Sequence, residues 1–279
     1  MKIALVGNSS SISRAFINCV KPGEKIITLG RKNADFEIDL NSNNDIFLPD
    51  GLDVMIHTAA HFGGTTVNEI CDAINVNIVG TLKLFDAAIK SNVKQFVYIS
   101  SIHSHLLSDS KQYNIYSISK KCSEEVLKLY AANKPVKLVI LRPSQIYGNF
   151  HGNRKHQPFF YELVDKIRNN EKVVFYGSRD PKRNFIHIED LANIIYKTVE
   201  NKIEGEYDCA FPFNTSFMKI AEAAIIAFGS KSEIEFDHSF EDIPDFKIKY
   251  ETNLYEKINF IPEISMNTGM FSLAKHLNR

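Results

Sequence analysis

The chain has 279 residues, with 33 Lys+Arg balanced by 33 Asp+Glu and 44% hydrophobic residues. That length carries one large domain or two modest ones with a substantial core. Zero net charge offers neither a polybasic stripe for nucleic acid nor an acidic tail, and no apolar run approaches the roughly 20 residues that span a bilayer.

The first apolar run, Ile3 to Val6, is too short for a signal-peptide core. Cys19, Cys71, Cys122 and Cys209 are widely spaced and form no CxxC pair, so reduced thiols and a cytoplasmic location are expected. No metal constellation is expected.

Lys2–Val6 is a short continuous apolar strand of the kind buried on both faces. It runs into Gly7, Asn8, Ser9, Ser10, Ser11, Ile12 and Ser13, ahead of the apolar-periodic Ala15-Phe16-Ile17. A strand, a turn of small residues and a helix N-terminus offer backbone N–H groups to an anion. Against a G-x-x-G-x-x-G dinucleotide fingerprint only Gly7 is retained. Ser10 and Ser13 hold the other two places, where their hydroxyls can add donors to a phosphate.

Lys25–Leu29 is a second strand, ending at Gly30-Arg31-Lys32. This is where dinucleotide folds read the adenine ribose. An acidic residue there points to NAD; Arg31 and Lys32 point to a 2′-phosphate, hence NADP(H), with NAD(H) the alternative. Phe36–Leu40 is expected as a third strand, with Asp39 and Leu40 at its end, where Asp39 either touches the adenine or caps a turn. Asp53–His57 is a fourth strand, followed by Thr58-Ala59-Ala60-His61, small enough to let a cofactor lie close. A lone His in such a loop is more often a hydrogen-bonded structural residue than a ligand. Phe62-Gly63-Gly64 reads as a flexible loop near a substrate pocket.

Val67–Lys90 is a long helical segment with apolar residues at Ile78, Leu82, Phe85 and Ile89. Asn77 and Gly80 interrupt its good helix formers and require a packing or polar reason. A fifth strand, Phe96–Ile99, ends at Ser100-Ser101. A helix then opens at Tyr116-Ser117-Ile118-Ser119-Lys120, with Tyr116 and Lys120 four apart and so on one face. A free phenol titrates at about 10, too high for proton transfer near neutrality. An adjacent ammonium lowers it, and the Ser101 hydroxyl can hold a substrate oxygen in reach.

Val136–Leu141 is a sixth strand, ending in Arg142-Pro143-Ser144-Gln145. The alternation so far is that of a parallel sheet with crossover helices. Beyond Gly148 the rhythm changes. The polar 149–157 stretch, with His151, Arg154, Lys155 and His156, is either a loop around an anionic ligand or an exposed one. A helix follows at Phe159–Ile167, then a strand at Val173–Tyr176. The run Arg183–Ala192 leads into a helix through Thr198. Tyr207–Ala210 is a strand, and Phe217–Ala227 a helix capped by Ser216 or Thr215. Residues 230–279 show no clear pattern.

The ordered set VGNSSSIS, DVMIHTAA, NVNIVGT, FVYISS, YSISK with Glu124 following, LRPSQIYG, YGSRDPKRNFIHIEDLA and YEKINFIPEISMNTG resembles the extended short-chain dehydrogenase/reductase family, in its nucleotide-sugar epimerase/dehydratase/reductase group. The resemblance implies an α/β fold, a Rossmann-type doubly wound parallel sheet with a smaller C-terminal substrate-binding part. Residues 1–148 would bind NAD(P) and 149–279 mainly the substrate, with 184–210 a candidate to pack back on the first part. It implies Tyr116 as catalytic acid/base, Lys120 as the group that lowers its pKa and holds the nicotinamide ribose, and Ser101 at the substrate hydroxyl. Ala59, Ala60, Asn77, Pro143 and Ser144 then lie near the cofactor. His61, Ser101, Ile102, Gln145 and Arg183 fall to the substrate, Arg183 on its diphosphate, which a planar guanidinium suits. Ile102-His103 stands where 4,6-dehydratases carry Asp-Glu, which speaks against dehydration. The implied chemistry is reduction of a 4-keto nucleotide sugar by NADPH, with NAD-dependent 4-epimerisation the runner-up and a non-catalytic NAD(P)-binding regulator a lesser alternative. A homodimer through the helices of 67–90 and 113–132 is the family expectation.

Overall fold

The computed structural model describes residues 1–149, 154 and 156–277. The chain divides into two compact units, the first made of 1–143, 192–208 and 253–260, the second of 144–191, 209–252 and 261–279.

The first unit is built on a seven-stranded sheet. Its strands are β1 (Lys2–Val6), β2 (Lys25–Gly30), β3 (Phe36–Glu37), β4 (Val54–His57), β5 (Gln95–Ile99), β6 (Lys137–Pro143) and β11 (Gly205–Cys209), in the order β11-β6-β5-β4-β1-β2-β3. Pairing from β6 through to β3 is parallel. The central strands are buried on both faces, with Ile3, Leu5, Met55, Ile56, Phe96 and Val97 at 0% exposure. This explains their unbroken apolar sequence: each face needs a helix layer, and a continuous Val/Ile/Leu run supplies both. Strand order reverses about β1, which has β2 on one side and β4 on the other. Sheets of this kind bind ligands beyond the C-terminal strand ends at such a reversal, here those of β1 and β4.

The third strand is shorter than its sequence predicts. Only Phe36 and Glu37 pair, with Leu29 and Gly30. Asp39 then caps a turn by accepting from the Asn41 amide at 3.0 Å, and Leu40 turns into the core.

The long helical segment is α2 (Val67–Ile74), a π-helical stretch (Asn75–Gly80) and α3 (Thr81–Lys90). Gly80 has a packing reason: a Cβ there would stand 2.5 Å from the Leu40 carbonyl oxygen. The first helix of the chain is α1 (Ser11–Cys19). Helix α4 (Ile115–Ala131) begins one residue before Tyr116, and the Asn114 side chain accepts from the Ser117 amide at 3.1 Å. That N-cap satisfies a first-turn donor and fixes where the helix starts.

The second unit carries three two-stranded sheets. They pair β7 (Gln145–Tyr147) with β10 (Phe185–His187), β8 (Val173–Tyr176) with β13 (Ile234–Asp237), and β9 (Lys182–Arg183) with β12 (Thr215–Ser216). Its core joins α5 (Pro158–Arg168), α7 (Phe217–Phe228) and α9 (Met266–Leu277) through Phe160, Val164, Ile167, Ile220, Ala224, Met270 and Leu273. Ser216 is the α7 N-cap, accepting from the Lys219 amide. Helix α6 (Ile188–Glu200) follows β10 directly. Asp190 in its first turn accepts from the Ile264 amide at 2.8 Å, tying down the segment before α9. The unpatterned 230–279 stretch thus supplies β13, α9 and, in the first unit, α8 (Asn253–Ile258). Much of the polar loop expected around an anion, 150–153 and 155, lies outside the described residues; Arg154 pairs with Asp165.

Candidate active site

The turn after β1 is shaped by Gly7. Its φ is +94°, and a Cβ there would lie 2.7 Å from the Ala59 nitrogen and 2.8 Å from the Thr58 hydroxyl. Only glycine fits, because the turn must close against the end of β4. Ser10 and Ser13 do not present their hydroxyls to a phosphate as the sequence suggested. Ser10 caps α1, accepting from the Ser13 amide at 3.0 Å. Both hydroxyls stand 2.8 Å from the Thr58 hydroxyl, which itself donates to the Val6 carbonyl at 2.9 Å. Small-residue packing is therefore preserved by a hydroxyl cluster in place of two glycines. The first-turn amides of Ser11 and Ile12 have no intrahelical partner, as at any helix start. Together with the Gly7 cradle they fit a dinucleotide pyrophosphate.

Asn8 reaches over Gly30, donating to the Lys32 carbonyl at 3.1 Å and the Asn33 carbonyl at 2.7 Å. A Cβ on Gly30 would meet its Oδ1 at 2.2 Å. Arg31 and Lys32 are exposed on the loop that Asn8 pins, Ser9 and Asp39 are exposed, Leu40 is buried, and Ala59 and Ala60 are half-buried.

The π-helical stretch exists around Asn77, which is 1% exposed. Its Oδ1 accepts from the His61 amide at 2.7 Å, and its Nδ2 donates to the His61 carbonyl at 2.7 Å and to the Ser119 hydroxyl at 2.8 Å. Ser123 donates back to the Asn77 carbonyl at 2.6 Å. One amide thus pins the loop after β4 and ties it to α4. His61 is structural by its observed contacts, its Nδ1 accepting from the Gly63 amide at 3.0 Å.

At the end of β5, Ser101 is in extended backbone, and its hydroxyl accepts from the His103 amide at 3.2 Å to cap the short 3₁₀ turn Ile102–His105. The same side chain lies near enough to the Tyr116 phenol to oppose the rise of its pKa. Lys120 is 2% exposed; its Nζ donates to the Ile99 carbonyl at 2.8 Å and lies 5.8 Å from the Tyr116 ring centroid. Ser101, Tyr116 and Lys120 therefore share one corner between β5 and α4. Burial pushes the phenol up to about 12, against the opposing effect of Ser101. Burial pulls the Lys120 ammonium down to about 7, opposed by the carboxylate of Glu124. His57, fully buried beneath the corner with its Nε2 2.8 Å from the Thr81 hydroxyl, is held neutral, its pKa pulled to about 3 by burial and by the charge of Lys120.

Glu124 received no role from sequence, and the signal was its spacing four residues beyond Lys120. It is 3% exposed and accepts from Ser100, from Arg142 Nε at 2.9 Å and from Arg142 Nη2 at 2.7 Å. Arg142 continues to Glu206 and, at 3.5 Å, to Asp208, which also pairs with His105 at 3.0 Å. This bidentate buried pair binds the end of β5 to α4 and β6.

The remaining candidates differ in what they offer. Ile102 is 4% exposed, so its side chain belongs to the interior. Pro143 ends β6 and is buried. In the second unit, Ser144 Oγ and Gln145 Oε1 are buried without a protein hydrogen-bond partner. Such orphans need an explanation, and a bound ligand supplies one. Arg183 is 5% exposed, with Nη1 donating to the carbonyls of Lys182 at 3.1 Å and Pro244 at 2.6 Å and its guanidinium 5.5 Å from the Phe217 ring centroid. These contacts fix the β9 region as well as holding the charge. Among the described residues no His/Cys/Asp/Glu group is placed to hold a metal, and no helix is long and apolar enough to cross a membrane. Cys19, Cys71, Cys122 and Cys209 form no disulfide.

Known proteins resemble the chain along its whole length. A Methanocaldococcus jannaschii protein provisionally named UDP-glucose 4-epimerase is 21% identical over 91% of this chain and 84% of its own. The human dTDP-D-glucose 4,6-dehydratase is 27% identical over 68% of this chain, which covers 57% of that enzyme's length. The Bacillus cereus UDP-glucuronic acid 4-epimerase, solved with UDP-glucuronic acid and NAD, superposes with a TM-score of 0.77 at 18% identity, over 100% of this chain and 99% of that one. The pattern of the NAD dependent epimerase/dehydratase family matches residues 5–210, and the chain belongs to that family of enzymes.

Proposed function

We propose that the protein reduces the 4-keto group of a nucleotide-linked sugar, using NADPH. The observation that carries this is the state of Tyr116. Burial holds its phenol protonated near neutrality, beside Ser101. A protonated phenol is an acid, the role that ketone reduction requires. The bound nicotinamide supplies the hydride.

Ser101 orients the sugar oxygen beside the phenol, and Tyr116 delivers the proton to it as negative charge develops. A protonated Lys120 stabilises the phenolate left behind, and a proton from solvent restores the phenol. The Gly7 turn, with the first-turn amides of Ser11 and Ile12 and the exposed Ser9 beside them, holds the pyrophosphate, while the Ser10 amide and hydroxyl are spent within the turn. Ala59, Ala60, Asn77, Pro143 and Ser144 surround the nicotinamide half, and Asp39 and Leu40 border the adenine. Arg31 and Lys32, exposed on a pinned loop, favour NADP(H) over NAD(H). Gln145 and Arg183 of the second unit are the candidates left for the substrate, because both backbone groups of His61 are taken by Asn77 and Ile102 is buried.

The second reading is 4-epimerisation with NAD, favoured by the epimerase names among the relatives. Denaturing the purified protein and identifying released nucleotide separates the two. An empty protein that oxidises NADPH with UDP-, dTDP-, CDP- or GDP-linked 4-keto-6-deoxyhexoses supports reduction; stoichiometric NAD⁺ overturns it in favour of epimerisation. We also infer a homodimer through α3 and α4. Leu129 is 81% exposed beside a 370 Å³ groove lined by Leu82, Val126, Leu129, Tyr130, Asn133 and Lys134. Light scattering of Leu129→Glu should report a monomer; a wild type that is itself monomeric removes the inference.

A further inference from the structure

The loop that follows β4 is not the flexible segment its glycines suggest. Asn77 pairs with both backbone groups of His61, and the His61 ring closes the next turn onto Gly63. Gly63 has φ +77°, and a Cβ there would lie 2.2 Å from Ile115 Cγ2 on the residue before Tyr116. A Cβ on Gly64 would meet the Glu69 carboxylate at 2.2 Å. Both glycines let the loop press against neighbouring helices. Between them and His61 stands Phe62, whose ring lies on that of Tyr116 with centroids 4.8 Å apart and planes 13° apart.

We propose that Phe62 is a positioning residue for Tyr116, packing on the face of the phenol so that the side chain cannot swing and its hydroxyl stays on the Ser101 side of the corner. The inference rests on the acid/base reading of Tyr116 above. The phenol oxygen lies on the axis of the ring's last torsion, so only a swing about χ1 carries it away from Ser101, and a ring packed on the phenol face opposes that swing. Lys120 Nζ donates to a backbone carbonyl. His103 meets the phenol ring edge-on at 6.3 Å. Phe62 is the stacked face among the ring contacts of Tyr116, and the residue before it, His61, is held by Asn77, which also bonds Ser119 next to Lys120. Loop and acid are thereby referenced to the same amide. The phenyl ring further shields the phenol from water, in keeping with the raised phenol pKa.

Phe62 is 46% exposed, so Phe62→Ala should fold normally. With the 4-keto nucleotide sugar that the panel identifies and NADPH, Phe62→Ala should lower kcat between about tenfold and 10²-fold, the scale of a misplaced catalytic group. KM for NADPH should stay within about threefold, and Phe62→Tyr should restore turnover. An unchanged kcat, a loss confined to KM, or failure of Phe62→Tyr to rescue overturns the proposal. A measurement independent of turnover uses protein labelled with 3-fluorotyrosine. The ¹⁹F resonance missing from Tyr116→Phe should shift in Phe62→Ala and hold its place in Phe62→Tyr; an unmoved resonance also overturns the proposal. If Tyr116→Phe keeps normal turnover, the acid/base reading fails separately, whatever Phe62 does.

Discussion

The turn after β1 and the corner between β5 and α4 lie at the same end of one sheet, yet they tolerate change differently. At the turn, two glycine positions carry serine, and the Thr58 hydroxyl absorbs both side chains at 2.8 Å. Only Gly7, with its positive φ and its 2.7 Å approach to Ala59, has no substitute. At the corner every side chain acts through its own titrating or hydrogen-bonding group. Lys120 is buried against a carbonyl and a phenol, and Glu124 is buried against Arg142. Space can be filled in more than one way; a proton inventory cannot.

The largest expected effect is on the corner's charge. Lys120 binds its proton more weakly in the folded chain, at about 7 against the ordinary lysine value of 10.5. Between these values the unfolded chain holds a proton that the native one lacks, so stability rises with pH through that window. The penalty below pH 7 is on the order of 5 kcal/mol. Denaturant melts at pH 6.5 and pH 9.5 should show the rise in wild type and its loss in Lys120→Met, which should also be more stable at the lower pH. Equal pH profiles would return the ammonium to solvent.

Next comes the acid itself. Tyr116→Phe keeps the stacked ring and removes the proton, so kcat should fall on the order of 10²-fold or more, about 3 kcal/mol of barrier. Near-normal turnover would remove Tyr116 from the chemistry and leave the corner a structural knot.

The turn yields a smaller effect and sharpens the contrast. Gly7→Ala should cost about 2 kcal/mol of stability, from forced positive φ and the Ala59 clash. It should also abolish the thermal shift given by NADPH. Ser13→Gly, which restores the fingerprint residue, should be destabilising by about 1 kcal/mol, through a lost buried hydroxyl and a helix glycine. A stabilised Ser13→Gly would mean the hydroxyl cluster is incidental.

The same contrast explains what was legible in the sequence. The buried strands announce themselves because both faces need apolar residues. Ser101, Tyr116 and Lys120 could be singled out because the whole ordered set of motifs resembles one family; spacing alone places only Tyr116 and Lys120 on one helix face. Asn77 and Gly80 could be flagged as misfits, but their reasons, the His61 backbone and the Leu40 carbonyl, lie in other elements. In the second unit β8 was legible, but β7, β9, β10 and β12 were missed because two or three residues carry no period. Gln145 is a strand residue only through Phe185, far along the chain. The Ser10 and Ser13 hydroxyls were misassigned because their partner, Thr58, becomes a neighbour only when β4 lies beside β1. Glu124 and Arg142 are ordinary helix and strand residues until folding buries them together.

The smallest expected effect concerns the rim of the turn, where nothing is buried. Arg31 is exposed on the loop that Asn8 pins to the end of β2. An exposed ion pair contributes at most about 1 kcal/mol, so Arg31→Ala should weaken NADPH binding by about fivefold. NADH, without the 2′-phosphate, should bind the variant as it binds wild type. The Arg31-dependent part of NADPH affinity should also fade as salt rises, because the charges face water. Titrating both nucleotides into both proteins by tryptophan-free methods suits a chain with no Trp, and nucleotide fluorescence gives the binding curve directly. Equal losses for NADPH and NADH would mean that Arg31 shapes the loop rather than reading the phosphate. The proposed use of NADPH would then rest on Lys32 alone, and the case for NAD-dependent epimerisation would strengthen.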